Sequence, residues 1–446
     1  MGNLLQLQQT LEQNEIVHDP NGSRYFNGMF GQFDCVRYTA QGIEFRGKDN
    51  AIDEIQDDEI LLYPTSVSLC GTDLALIDKA KSGGLPDEAI GKIVGHEAAG
   101  FIVGLGKQVT KWKLGQYVCL DSHVACEQLN HHSFDDCVQS GKSCDGIVGG
   151  IRGVLNSSGA ERLDPPTGYW SRMITVSQSA IPMIVPVEIA EKLKAPSTLE
   201  SLGNLYMIQE LLRDLELLNQ PERTVCIVVG LGATGYPMAA VASHTGFQVF
   251  GVNPSEAKRS FAVEQGAVSQ AFETIEEAMV AVDSLSFENL VIIVTADAPS
   301  AHESALFELE KMGESVKRKI CVLFGLYADP LQPIKGAPKP FDSVPQREFV
   351  FGRKNFTSAN GVETYGVCGR DLRAWSSALR DLDATKNKRA DRLIQMLNAA
   401  QLQVDGADAL ESIALLLQER SSAVELRLKE TGALKLVANL AVTELK

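Results

Sequence analysis

No run of about 18 consecutive apolar residues occurs in the 446-residue chain, so no membrane-spanning helix is expected. The opening Met1-Gly2-Asn3-Leu4-Leu5-Gln6 has neither a basic leader before an apolar core nor the hydroxyl of a myristoylation signal, and a cytoplasmic protein without a membrane partner is expected. Basic residues are in deficit: 41 Lys and Arg face 57 Asp and Glu, a formal charge of −16 and the wrong sign for a phosphate-backbone binder. Nucleic acid is therefore not an expected partner. Nine cysteines, an odd number scattered along a long chain, do not make a disulfide scaffold and read instead as reduced thiols or metal ligands. What the chain does have is 44% hydrophobic and 22% charged content, enough for two or more domains that each bury a core.

The first 27 residues are polar, rich in Gln and Asn, and read as an N-terminal extension. Residues 28–204 hold β-type runs such as Glu59-Ile60-Leu61-Leu62-Tyr63 and Phe101-Ile102-Val103 between Gly-rich turns. Within them, 121–167 is loop-like and clusters Cys, His, Asp and Gly; a loop of that length usually has a function. A helical stretch over 205–218 then leads into the apolar run Val225-Cys226-Ile227-Val228-Val229, and further strands at 248–252, 289–295 and 319–324 alternate with amphipathic segments. This alternation predicts a doubly wound parallel sheet over 205–370. Residues 371–446 read as a helical segment, with three- and four-residue apolar spacing over 389–402 and 407–420, that returns to the first domain. The fold class is α/β.

Gly230-Leu231-Gly232-Ala233-Thr234-Gly235 follows a strand and opens a helix over 236–245, the context that a G-x-G-x-x-G match requires. Gly230 allows the tight turn, Gly232 lets the backbone approach a pyrophosphate, and Gly235 lets helix and strand pack closely, with Ala233 and Thr234 completing the loop. The second strand ends at Asn253, where a carboxylate ordinarily takes the ribose hydroxyls of NAD. An uncharged Asn does not repel a 2′-phosphate, and Lys258 or Arg259 one turn on could neutralise it. The cofactor reading therefore leans to NADP, with NAD left open because Asn also bonds a ribose hydroxyl.

Cys70-Gly71-Thr72-Asp73 precedes Gly95-His96-Glu97, with 26 positions from Cys70 to His96. Thiolate and imidazole are good zinc ligands, and a catalytic zinc needs three protein ligands and one open position. In this order the motifs resemble the zinc-dependent medium-chain dehydrogenase/reductase superfamily, alcohol dehydrogenase-like proteins that pair a GroES-like catalytic domain with a Rossmann domain. The resemblance runs from about residue 30 to 440 and is nearest to L-threonine 3-dehydrogenases. It rests on Asp121-Ser122-His123-Val124-Ala125-Cys126, Leu199-Glu200-Ser201-Leu202-Gly203-Asn204, Phe324-Gly325-Leu326-Tyr327, Tyr365-Gly366-Val367-Cys368-Gly369-Arg370-Asp371-Leu372 and Lys429-Glu430-Thr431-Gly432.

Carried over by that resemblance, Cys70, His96 and Glu200 hold a catalytic zinc, Glu97 is the neighbouring carboxylate able to approach it, and Thr72 relays a proton. Gly325 and Leu326 fall in the strand-end loop beside the cofactor. The resemblance implies an oxidoreductase in which zinc acidifies an alcohol and hydride passes to NAD or NADP. It further implies a dimer or tetramer built through the Rossmann domains. A threonine-like β-hydroxy amino acid or related small polar alcohol is the favoured substrate; a polyol, sugar or specialised-pathway alcohol is the second reading, and an inactive binding homologue the third.

Three departures bear on these expectations. Ala75 stands where threonine dehydrogenases carry a His of the proton relay, leaving His123 as the substrate-side candidate beside a purely structural reading of it. The second metal lobe has Cys126, Cys137 and Cys144 at spacings of 11 and 7, and a fourth ligand would have to come from His131, His132, Asp135 or Asp136, which disfavours a structural zinc. Ser171-Arg172 replaces the usual Ala-Glu.

Overall fold

Runs rich in Val, Ile, Tyr and Phe fit a pleated, half- or fully buried surface better than a helix. In the computed structural model they become seventeen strands among the described residues, which are 4–120, 168–313, 316–324, 331–367, 372–418 and 434–440 apart from Pro86, Pro182 and Lys335. In chain order these are β1 Ile16–His18, β2 Arg24–Phe26, β3 Gly31–Thr39, β4 Gly42–Ile52, β5 Glu59–Ser68, β6 Glu97–Leu105, β7 Tyr117–Cys119 and β8 Ile174–Ser177. Then come β9 Thr224–Val229, β10 Gln248–Val252, β11 Gln270–Phe272, β12 Asn289–Val294, β13 Arg318–Leu323, β14 Asn355–Thr357 and β15 Val362–Gly366, followed by β16 Gln401–Gly406 and β17 Lys435–Leu440. None of the described helices is long and apolar enough to cross a membrane.

The chain divides into two units, 1–201 with 401–446 and 202–400. Unit 1 is built on an eight-stranded sheet of path β1-β2-β6-β5-β17-β16, with β7 beside β6 and β8 beside β5, and a separate β3–β4 hairpin. Strand β6 is buried along its whole length and β5 beyond its first residue, so both read as near-continuous apolar runs. The β5–β6 register shifts between Pro64 and Ser66, where the missing N–H of Pro64 is tolerated at an irregularity. The parallel pair β16–β17 needs a crossover, and the helix Ala409–Gln418 lies in it, burying Leu410, Ile413 and Leu417 in the same core as Val36, Ile102 and Trp170.

The segment read as an appended extension is folded into unit 1. Leu4, Leu7 and Leu11 lie on the buried side of the helix Leu4–Gln13, whose Gln-rich remainder faces outward, and the Leu5 N–H donates to Glu191 Oε1 at 3.1 Å. Strands β1 and β2 then form a hairpin that joins the sheet through β6.

Unit 2 is the doubly wound sheet, ordered β11-β10-β9-β12-β13-β15-β14, parallel except for the edge strand β14. Helices on both faces leave β9 wholly buried and β12 buried beyond Asn289. The expected returning segment 371–446 is split between the units: the helices Leu372–Leu382 and Ala390–Ala399 belong to unit 2, where the second buries Leu393, Ile394, Met396 and Leu397, and the return begins at residue 401. Residue Leu402, expected in a helix, lies in β16, because the parallel ladder to β17 outweighs local helical spacing.

Leu11 has no exposed surface. Its replacement by Ala should cost about 2–4 kcal/mol, read as a lower urea midpoint; an unchanged midpoint would mean that the N-terminal helix adds nothing to the fold.

Candidate functional site

Three adjacent strands assemble a cluster in unit 1. Val437 of β17 lies across from Ser68 of β5, and Ser68 lies across from Glu97 of β6. After Ser68 the chain leaves the strand at Leu69, whose N–H donates to the Leu436 carbonyl at 3.0 Å, and turns at Cys70 into the helix Gly71–Lys81. Asp73, at the third helical position, accepts the Cys70 N–H on Oδ2 at 2.9 Å, half of a capping box. Its other oxygen lies 2.9 Å from His96 Nδ1. One buried carboxylate thus orients both Cys70 and, through Nδ1, His96, the arrangement by which a metal-binding imidazole presents Nε2. Gly95 has φ +86°, and a Cβ there would lie 2.0 Å from Trp170 Nε1, so the backbone entering His96 admits only glycine.

One potential ligand atom from each of Cys70, His96 and Glu97 lies within 4.8 Å of the others. A thiol, an imidazole and a carboxylate form a donor set that suits zinc. Burial alone would favour a neutral imidazole, but the Asp73 carboxylate and Cys70 outweigh it and raise the affinity of His96 for a proton well above the ordinary value. Burial likewise opposes ionisation of Glu97, yet the Lys435 ammonium, His96 and the hydroxyl of Ser68 hold its carboxyl below the usual range. Ser201 donates to Glu97 Oε1 at 2.8 Å, and Lys435 Nζ lies 2.7 Å from each carboxylate oxygen.

Glu200, expected as the third ligand, is buried in the first turn of the helix Leu199–Asp214 and its charge acts on Lys435, but it is Glu97 that shares the compact group with Cys70 and His96. Thr72 is exposed, with Oγ1 3.9 Å from Cys70 Sγ, and Ala75 is exposed on the same helix. Among the other described cysteines, burial pushes the thiols of Cys226 and Cys321 up to about 12 and that of Cys35 to about 11, the behaviour of packing residues, whereas Cys70 is half-buried. His123, Cys126, His131, His132, Asp135, Asp136, Cys137 and Cys144 lie outside the described residues, as do Gly325, Leu326, 368–371 and 429–432. Asp73, Ser68, Ser201 and Lys435 were given no ligand-orienting role by sequence reasoning. Asp73 carried a signal, the acid at the third position of a capped helix; Lys435, 338 positions from Glu97, carried none.

In unit 2 the Gly-rich loop leaves β9 with Gly230 at φ +93°, its N–H donating to the Val252 carbonyl at 2.8 Å. A Cβ on Gly235 would lie 1.5 Å from the Gly230 carbonyl oxygen, so the helix Gly235–Thr245 packs against the turn only because that side chain is absent. A Cβ on Gly232 would meet nothing within 4 Å, leaving its backbone open to a ligand. Asn253 is buried and accepts the Ser255 N–H on Oδ1 at 2.9 Å. Arg259 is clamped at the end of β10 by the carbonyls of Asn253 and Pro254, at 2.7 and 2.9 Å, with Glu273 at 3.8 Å; Lys258 is half-buried beside it.

Residues 56–186 match the alcohol dehydrogenase GroES-like domain, and residues 226–321 match the NAD binding domain of 6-phosphogluconate dehydrogenase. In this order the two matches are the domain pair of the alcohol dehydrogenase-like medium-chain dehydrogenases/reductases that the sequence motifs resemble. It is 29% identical over 206 residues to L-galactonate-5-dehydrogenase of Escherichia coli, covering 46% of this chain and only 51% of that one. L-threonine 3-dehydrogenase of Pyrococcus horikoshii is 26% identical over 343 residues, 74% of this chain and 81% of its own. The crystal structure of galactitol-1-phosphate dehydrogenase from Escherichia coli shares the fold at a TM-score of 0.59 and 18% identity, covering 91% of this chain and 99% of that one. The chain thus matches the GroES-like and nucleotide-binding parts that its motifs implied.

Asp73→Asn keeps the shape and the cap but removes the charge that holds His96. Zinc affinity should fall about 10- to 100-fold with the far-ultraviolet circular dichroism unchanged; unaltered affinity in a chelator competition would remove Asp73 from the site.

Proposed function

We propose that this chain is a zinc- and NAD(P)-dependent oxidoreductase that interconverts a secondary alcohol and its ketone. The observation that carries the reading is the Cys70–His96–Glu97 group, oriented by one buried carboxylate, in a chain whose other unit holds a strand–glycine loop–helix nucleotide motif. Bound zinc supplies Lewis acidity and the nicotinamide supplies the hydride acceptor. Cys70, His96 and Glu200 hold the metal, with Glu97 adjacent to it. Thr72, exposed at the start of its helix, takes the hydroxyl proton. Gly230, Gly232, Ala233, Thr234 and Gly235 present backbone to the pyrophosphate, and the N-terminus of the helix Gly235–Thr245 adds its favourable dipole. Gly325 and Leu326 border the cofactor, and His123 is the substrate-side candidate.

The favoured substrate is a small polar β-hydroxy amino acid of the threonine kind. A polyol or sugar alcohol is the second reading, supported by Ala75 in place of the relay His and by the galactonate and galactitol-phosphate dehydrogenases among the similar proteins. Arg172, a departure that would suit an inactive homologue, is buried and donates to the Ala407 carbonyl, so it has a structural task within unit 1. The protein is proposed to work in the cytoplasm as a homodimer or homotetramer; the edge position of β14 in unit 2 leaves a ladder able to pair with a second copy.

Elemental analysis should find one zinc per chain, lost in Cys70→Ser, and a panel of alcohols should show turnover with either nicotinamide cofactor. Zinc retained by Cys70→Ser would overturn the metal assignment, and turnover of threonine alone would remove the polyol reading. The position of Arg259 at the end of β10, where a 2′-phosphate would lie, supports NADP as the preferred cofactor. Arg259→Ala should weaken NADPH binding about tenfold or more and leave NADH binding unchanged; equal loss of both would mean that Arg259 reads no 2′-phosphate.

A further inference from the structure

Glu97 is more heavily tied than a metal ligand needs to be. Its carboxylate has no exposed surface and receives Ser68 on Oε2, Ser201 on Oε1, and Lys435 Nζ at 2.7 Å from both oxygens. Lys435 also donates to Ser201 Oγ at 2.6 Å, so ammonium, hydroxyl and carboxylate close a ring. Besides Glu97, Cys70 and Glu200 also favour the charged form of the same ammonium. Strand register explains its presence: β17 lies next to β5, Lys435 is two positions before Val437, and Val437 lies across from Ser68.

We propose that Lys435 is a positioning residue that serves as the internal counter-cation of the metal centre, holding Glu97 in the metal-free protein and competing with the metal for that carboxylate. The inference rests on the zinc reading above. A carboxylate whose lone pairs are taken by an ammonium and two hydroxyls is a poor ligand until one of them lets go, so Lys435 weakens metal binding and keeps Glu97 from closing the position that a substrate needs. It also removes the cost of an unpaired buried carboxylate when no metal is present. A purely structural lysine would stabilise the fold without opposing the metal.

The test is a zinc titration of the full chain against a chromogenic chelator, paired with thermal melts of metal-free and zinc-loaded protein. Lys435→Met should bind zinc about tenfold more tightly than wild type, since a site relieved of one positive charge attracts a cation more strongly. Its metal-free form should melt lower and gain more on zinc addition, because a ligand that binds more tightly stabilises the native state more. Lys435→Arg should keep the wild-type affinity. Ser201→Ala, a milder change if Lys435→Met fails to fold, should tighten zinc about threefold by loosening the ring. Zinc affinity that is unchanged or weaker in Ser201→Ala, and in Lys435→Met where it folds, overturns the proposal while leaving the metal site standing. Failure of the wild type itself to bind zinc would instead overturn the metal reading, and the proposal with it.

Discussion

Two carboxylates with no exposed surface, Asp73 and Glu97, govern how unit 1 closes around its cluster. An ionised carboxylate left unpaired in an apolar interior is too costly to persist, so each must be met by donors from elsewhere in the chain. Asp73 is met by the Cys70 N–H and the His96 ring, which ties the start of a helix to the start of β6. Glu97 is met by Ser68, Ser201 and Lys435, which ties β6 to β5, to the helix Leu199–Asp214 and to β17. The same bonds that satisfy the charges therefore set the spacing of thiol, imidazole and carboxylate. Stability and ligand geometry are one requirement here, and a slipped register would lose both.

The nucleotide loop answers a different constraint. It works by the absence of side chains: Gly235 allows a helix to approach a turn at a separation no Cβ would permit, and Gly232 leaves backbone uncovered. Its parts come from one short segment between β9 and the following helix, with β10 adding the Val252 carbonyl that anchors Gly230. Few long-range contacts are needed to form it. The Cys70–His96–Glu97 cluster draws on residues 68 to 435 and depends on the whole of unit 1 being in register.

Segments that look peripheral in composition are structural in this fold. The Gln-rich start hides three leucines at helical spacing and supplies a hairpin to the sheet edge. Arg172, at a position where the resembling dehydrogenases have an acid, is turned to a backbone carbonyl of the returning segment. In both cases a segment or residue that looks peripheral in the sequence holds unit 1 together.

Local chemistry was readable from the residues alone. The glycine loop, the parallel sheet and the Cys70 and His96 pair each have a signature written in neighbouring positions, because turns, buried strands and helix starts are decided by nearby backbone. The short strands β11, β14 and β15 were not, since three to five residues carry too little periodicity to stand out, and neither was β16, whose helix-like spacing is overruled by its partner strand. The place of Glu97 ahead of Glu200 in the compact group, and the arrival of Lys435 beside it, were decided only by tertiary structure. Strand pairing joins positions hundreds of residues apart, and a lone lysine near the end of a chain gives no sign of the buried carboxylate that will hold it.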